Sequence, residues 1–300
     1  MIDVTLVGTG GMLPLPDRWL ASLWLEYNGK ACLIDCGEGT QIAINQHKLK
    51  LSHLDILLIT HTHADHISGL PGLLLSLGNC GKTDTLKIYS HKGVAAVIKK
   101  LMCICPVLPF DIEFHELQLN EISHFIWNDI DISAIRLNHS IDCLGYSFTL
   151  NRKPVFNPQK AKSLGIDVKY WKKLHSGDSI EFNNQIITTD MVTDNPRLPI
   201  KITYITDTRY FSYLSDFAEN SDLLVCEGMY GDDDYIEKMH EKGHMVFSQS
   251  AKIALDSHSK RLWLTHYSPA LTNPHEYNDF IRSIFPDTTI SSDGEHITLK

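Results

Sequence analysis

Short apolar runs that stop abruptly recur along the chain, and each predicts a buried strand. Val4–Val7, Ser22–Tyr27, Ala31–Asp35, Ile56–Thr60, Leu86–Tyr89, Leu144–Leu150, Ile202–Thr206, Leu223–Cys226 and Leu262–Thr265 read this way. Phe110–Leu119 and Ile130–Leu137 alternate apolar with polar positions, as half-buried strands do. Asn28-Gly29 is a hairpin turn between the second and third runs. Apolar residues at helical spacing mark Leu70–Leu77 and Gly93–Met102, and Gln41–Gln46 can open a helix. Two broad halves, each with strands followed by helices, predict two packed sheets covered on the outside by helices. No short-period internal repeat is visible.

The residues just past the strand ends are chemically unusual. The run Ile56–Thr60 stops at His61-Thr62-His63-Ala64-Asp65-His66, three imidazoles and a carboxylate within six positions. Positions beyond a strand end are where open α/β sheets place ligands, and imidazole nitrogen with carboxylate oxygen suits zinc and similar divalent ions. Alternation in an extended loop points His61 and His63 to one side, and the next turn lets Asp65 and His66 face a second point. That pattern suits two neighbouring ions better than one. A surface loop that is merely rich in His is the plainer reading, and the strand context argues against it. Further runs end at His139, Asp207, Glu227 and His266, which supply the ligands the first motif lacks.

Composition narrows the classes. A hydrophobic share of 43% over 300 residues is ample for a sizeable core. No apolar stretch approaches the roughly 20 residues needed to cross a bilayer, and Met1-Ile2-Asp3-Val4 lacks a signal pattern, so a cytoplasmic protein is expected. Seven cysteines without a disulfide-like framework fit a reducing compartment, and Cys103 with Cys105 is too closely spaced for a zinc knuckle. A net charge of -9 argues against broad attraction to nucleic acid, although two bound divalent ions would cancel part of it locally. Gly8-Thr9-Gly10-Gly11 lacks dinucleotide-fingerprint spacing. From Asn151 to Pro199 the texture shifts to Lys, Asn and Pro, with Tyr170 and Trp171 set among Lys169, Lys172 and Lys173. Such interleaving suits a single-stranded nucleic acid, and equally a solvated helix face.

Together these residues resemble the metallo-β-lactamase superfamily and, within it, the ribonuclease Z branch. The likeness runs over nearly the whole chain and rests on Gly8-Thr9-Gly10, Asp35-Cys36-Gly37-Glu38-Gly39-Thr40-Gln41, His61 to His66 with Gly69-Leu70-Pro71-Gly72-Leu73, His139, Tyr204 to Arg209, Glu227, His244 and Thr265-His266. It implies an αββα sandwich in one domain over residues 1–300, with 151–200 as an inserted arm that binds tRNA. It implies one zinc held by His61, His63 and His139, another by Asp65, His66 and His266, and Asp207 bridging, in a set that manganese or iron could also occupy. The resemblance further implies hydrolysis of precursor tRNA by an activated hydroxide that Asp65 orients, with His244 and its partner Glu227 assisting the leaving oxygen. The products would be a tRNA with a 3′-hydroxyl and a trailer with a 5′-phosphate. Arg18, Arg209, Lys172 and Lys173 are the implied substrate-binding residues, and a homodimer is the implied assembly.

Several positions depart from that branch. Pro14-Leu15-Pro16-Asp17-Arg18-Trp19 keeps the Arg of the usual Pro-x-Lys-x-Arg-Asn loop without its Lys and Asn. Glu227-Gly228-Met229 replaces the usual Glu-Ala-Thr, and His244-Met245-Val246 replaces His-Ser-Thr. Hydrolysis of small phosphodiesters is therefore a second expectation, and a binding protein with a vestigial site a third, which the complete ligand set opposes.

Overall fold

The computed structural model describes residues 1–300, which divide into two compact units: Met1–Thr149 with Lys201–Lys300, and Leu150–Ile200. The larger unit holds two seven-stranded sheets. The first has the order His296–Leu299, Ile2–Gly8, Ser22–Tyr27, Lys30–Ile34, Leu54–Leu58, Leu86–His91, Ile112–Leu117. Its last four strands run parallel, and the others pair antiparallel. The second has the order Thr288–Ile290, Leu262–Thr265, Leu223–Glu227, Ile200–Ile205, Cys143–Leu150, Ile130–Leu137, Ser123–Trp127, with its first four strands parallel.

Parallel strands covered on both faces read as continuous apolar runs, which is why Leu57-Leu58-Ile59 and Leu223-Leu224-Val225 carry no alternation. The sheets meet through side chains of both: the Tyr89 ring stacks on Phe125 at 4.0 Å between centroids, and Tyr146 Oη–H donates to the carbonyl of Ile59 at 2.7 Å. On the outer face of the first sheet, helix Leu70–Asn79 buries Leu70, Leu73, Leu74 and Leu77 against Leu33, Leu57 and Ile88. That spacing of three, four and seven is one helical stripe, and each buried Leu contributes about 1.5–3 kcal/mol. Pro71 stands in the first turn, where its missing N–H has no partner to lose. Helix Phe247–Asp256 covers the second sheet with Phe247, Ala251 and Ala254 against Leu224, Leu262 and Leu264.

In the larger unit three strands lie outside what periodicity predicts: Ser123–Trp127, Thr288–Ile290 and His296–Leu299. All three are short and stand at sheet edges. The last pairs Leu299 with Ile2 and Ile297 with Val4, joining the chain ends in one sheet, a long-range event that no local pattern announces.

The smaller unit contains helices Pro158–Ser163 and Trp171–Ser176 and a hairpin, Ile180–Phe182 with Gln185–Ile187. Asn183 and Asn184 turn it at φ 51 and 62, left-handed values that Asn tolerates. Ala161, Ile166, Leu174, Ile180, Ile187 and Val192 form its own core. Tyr170 and Trp171 pack on that core, and the Trp171 indole N–H donates to the carbonyl of Ile166 at 3.1 Å. These half-buried aromatics are held against the core of their own unit, whereas Lys172 and Lys173 are exposed. No helix is long and apolar enough to cross a membrane, and all seven cysteines are free.

Candidate metal centre

The site is assembled from carboxyl ends of strands in both sheets. His61 follows Leu54–Leu58, and His63 immediately precedes a short helix, Ala64–Ile67, that presents Asp65 and His66. His139 follows Ile130–Leu137, Asp207 follows Ile200–Ile205, Glu227 ends Leu223–Glu227, and His266 follows Leu262–Thr265. His266 holds a left-handed backbone at φ 62, as does Asp35 at φ 60 just beyond Lys30–Ile34. Non-glycine residues there are held by their surroundings, and such strain collects at functional sites.

Seven predicted ligands converge in two adjoining groups. His61, His63, His139 and Asp207 each bring one ligand atom within 4.8 Å of the others, and Asp65, His66 and His266 do the same. Asp207 stands between them. Its Oδ2 lies 3.5 Å from His61 Nε2 and 3.7 Å from His139 Nε2, while its Oδ1 lies 3.5 Å from His66 Nε2 and 3.1 Å from His266 Nε2. One carboxylate thus turns a separate oxygen toward each group, the geometry of a bridging ligand.

The outer hydrogen bonds decide which nitrogen each ring turns inward. Asp35 is wholly buried. It accepts from the Thr60 N–H at 2.8 Å, the Thr60 hydroxyl at 2.7 Å and His66 Nδ1–H at 2.7 Å. The Thr60 oxygen in turn accepts from His61 Nδ1–H at 3.0 Å. A single carboxylate therefore orients one imidazole in each group and leaves its Nε2 facing the centre. His139 Nδ1–H donates to the carbonyl of Gly243 at 2.8 Å, with the same consequence. His63 is reversed: its Nδ1 lies 3.0 Å from His61 Nε2 and 3.2 Å from His139 Nε2. Asp65 Oδ2 accepts from the N–H of Met12, at 2.7 Å.

The residues fit divalent metal. The Nε2 atoms of His66 and His266 are buried without a hydrogen-bond partner, a costly state unless they coordinate something. Burial holds His61, His63 and His139 below the ordinary imidazole range, so they are neutral donors. Burial opposes charge at Asp207 as well, but His266 and His66 outweigh it and keep the carboxylate ionised.

Beside the ligands, His244 Nδ1–H donates to Glu227 Oε2 at 2.9 Å. Glu227 is fully buried, and its other oxygen accepts from the N–H of Thr208. Burial disfavours a charged His244, but the Glu227 charge and hydrogen bond raise its pKa to about 9. The paired Nδ1 leaves Nε2 for the cavity of about 300 Å³ that His244 lines with His63, Asp65 and Asp207.

The predicted substrate-binding residues are divided between the two units. Arg209 Nε–H donates to the carbonyl of His240 at 2.6 Å and Nη2–H to that of Glu241 at 3.1 Å. Arg18 Nη1–H donates to the carbonyl of Leu271 at 3.0 Å, with its guanidinium over the Tyr267 ring. Both arginines fasten loops next to ligands through main-chain carbonyls, and neither lines the cavity. Lys172 and Lys173 lie on Trp171–Ser176 in the smaller unit. The supporting roles of Gly243 and Met12 have no sequence signal, because a main-chain group serves through any side chain; Asp35 carried one, a carboxylate at a strand end.

Comparisons with known proteins bear on this geometry. Ribonuclease Z of Lachnospira eligens is 45% identical over 300 residues, covering 100% of this chain and 98% of that protein. The chain belongs to the ribonuclease Z family. Ribonuclease Z of Clostridium acetobutylicum is 44% identical over 98% of this chain and 96% of its own length. A family model described as Anti-Pycsar protein Apyc1 matches residues 2–164. Among solved structures, the short form of human tRNase Z superposes with a TM-score of 0.70 at 24% identity, covering 99% of both chains. The metallo-β-lactamase fold protein YhfI from Bacillus subtilis gives 0.70 at 18% identity, covering 99% of this chain and 98% of that one. These likenesses show the metallo-β-lactamase fold; membership of the ribonuclease Z family implies a divalent-metal site, and the His and Asp clusters could hold it.

Proposed function

We propose that this metal-dependent hydrolase removes 3′ trailers from precursor tRNA by endonucleolytic hydrolysis, with two zinc ions per subunit. The observation that carries the reading is the full-length identity of 45% to a ribonuclease Z. One ion is assigned to His61, His63 and His139, the other to Asp65, His66 and His266, with Asp207 shared. Bound there, two divalent ions supply an activated water and offset charge on the phosphate oxygens.

The chain's own groups supply the rest. Asp65, fixed by the Met12 N–H, orients the attacking water. His244 donates a proton from Nε2 to the departing 3′-oxygen, and the buried Glu227 carboxylate stabilises the charged ring beforehand and holds its orientation. Precursor tRNA as substrate, a homodimer, a cytoplasmic setting and a tRNA-binding role for residues 151–200 belong to the same reading.

The test is cleavage of a trailer-bearing precursor tRNA by the zinc-loaded protein, with product ends mapped and Asp65→Ala as control. Cleavage just after the discriminator nucleotide, absent in the variant, supports it. Absence of cleavage alongside hydrolysis of bis(p-nitrophenyl) phosphate would favour small phosphodiesters instead.

A further inference from the structure

Arg18 and Arg209 hold main-chain carbonyls and do not line the cavity, so a phosphate next to the scissile one needs another cation. Among the side chains lining the cavity, Lys242 is the single Lys or Arg. It is exposed in the last turn of helix Ile236–Lys242 and pairs with no carboxylate, unlike Lys260, which holds Asp222 at 2.7 Å. Around the cavity stand Asp65, Asp207 and Glu227, so a strand of nucleic acid entering without a counter-charge would meet repulsion wherever metal does not shield it.

Its place along the chain gives Lys242 a direction. Gly243, at φ 85, turns the backbone from the helix end straight into His244, whose N–H donates to the carbonyl of Met239 at 2.8 Å. Lys242 therefore stands on the His244 side of the centre, the side of the leaving oxygen. That oxygen belongs to the last nucleotide of the tRNA body, and the next phosphate on that side is the one joining the last two nucleotides of the body.

We propose that Lys242 binds this neighbouring phosphate and so sets the strand register that places the scissile bond at the metal centre. The assignment rests on the tRNA reading and names a contact within it. Phosphate contacts position a strand without reading its sequence, which suits an enzyme that must accept many tRNAs.

The experiment compares wild type, Lys242→Ala and Lys242→Gln, each checked for an unchanged thermal midpoint, with the exposed Lys87→Ala as a charge control. On precursor tRNA the Lys242 variants should raise KM about five- to tenfold. The plot of log kcat/KM against log salt should become shallower by about 0.7–0.9, the share of one phosphate contact, while Lys87→Ala keeps the wild-type slope. On bis(p-nitrophenyl) phosphate, which has no neighbouring phosphate, the loss should be at least fivefold smaller. A precursor with a neutral methylphosphonate at the named linkage should impair wild type yet add little to Lys242→Ala. Additive losses, an unchanged salt slope, or equal losses on both substrates overturn the Lys242 assignment alone. A wild type that cleaves no precursor tRNA overturns both readings.

Discussion

Arg209 reaches the carbonyl of His240 with its Nε–H at 2.6 Å, while its main-chain N–H donates to the carbonyl of Asn138 at 2.9 Å. It thereby joins the loop that carries His139 to the helix end that leads into His244. The contact from His139 Nδ1–H to Gly243 closes the ring. Truncating Arg209 takes a charged donor from the carbonyls of His240 and Glu241 and frees the two segments to shift.

Arg209→Ala should lower cleavage of precursor tRNA about 10–100-fold through lost alignment. It should cost much less with a p-nitrophenolate leaving group, which needs no proton. Arg209→Lys should recover part of the loss. A rise confined to KM on RNA would instead mark Arg209 as an RNA contact.

His244→Ala removes the group assigned to protonate the leaving oxygen. Cleavage of precursor tRNA should fall about 10²–10⁴-fold, with metal content near normal and a far smaller loss on p-nitrophenyl esters. Equal losses on both substrates would take His244 out of that role.

Asp35 serves a ring in each ligand group, so Asp35→Asn should weaken metal binding about 10–100-fold at both positions. Competition with a chromophoric chelator reads this directly. An effect confined to one ion would mean that the route through Thr60 to His61 carries no orientation. Asp207→Ala, which removes the carboxylate that faces both groups, should strip both ions on dialysis.

In the metal-free protein, burial lowers the pKa of His244, but Glu227 outweighs it and raises the value from the ordinary 6.5 to about 9. A raised folded value means that the pair's stabilisation is fully present below pH 6.5 and is lost as pH rises through about 9. The thermal midpoint of metal-free wild type should fall across that window, and His244→Gln should flatten the fall. A ring titrating near 6.5 by NMR would contradict the pairing.

The sequence by itself determined the strands that carry the site and the His and Asp residues that gather at their ends. Buried parallel strands leave continuous apolar runs, and His61, His63, Asp65, His66, His139, Asp207 and His266 stand just past their ends or in the adjoining loop. Those signals are local: an apolar run and the residue that stops it are neighbours in the chain. Tertiary structure alone decided what the cations do. Arg18 and Arg209, implied by the resemblance as substrate contacts, each hold carbonyls on segments tens to hundreds of positions away in the chain. Tyr170 and Trp171 suited a nucleic-acid grip and a solvated helix face equally, and folding packs both against the core of their own unit. Lys242 carried no signal, since a lysine in a last helical turn commonly serves the helix dipole. Whether a charged side chain is free or committed depends on which carbonyls and carboxylates folding brings within hydrogen-bond reach, and that distance is not written in the order of residues.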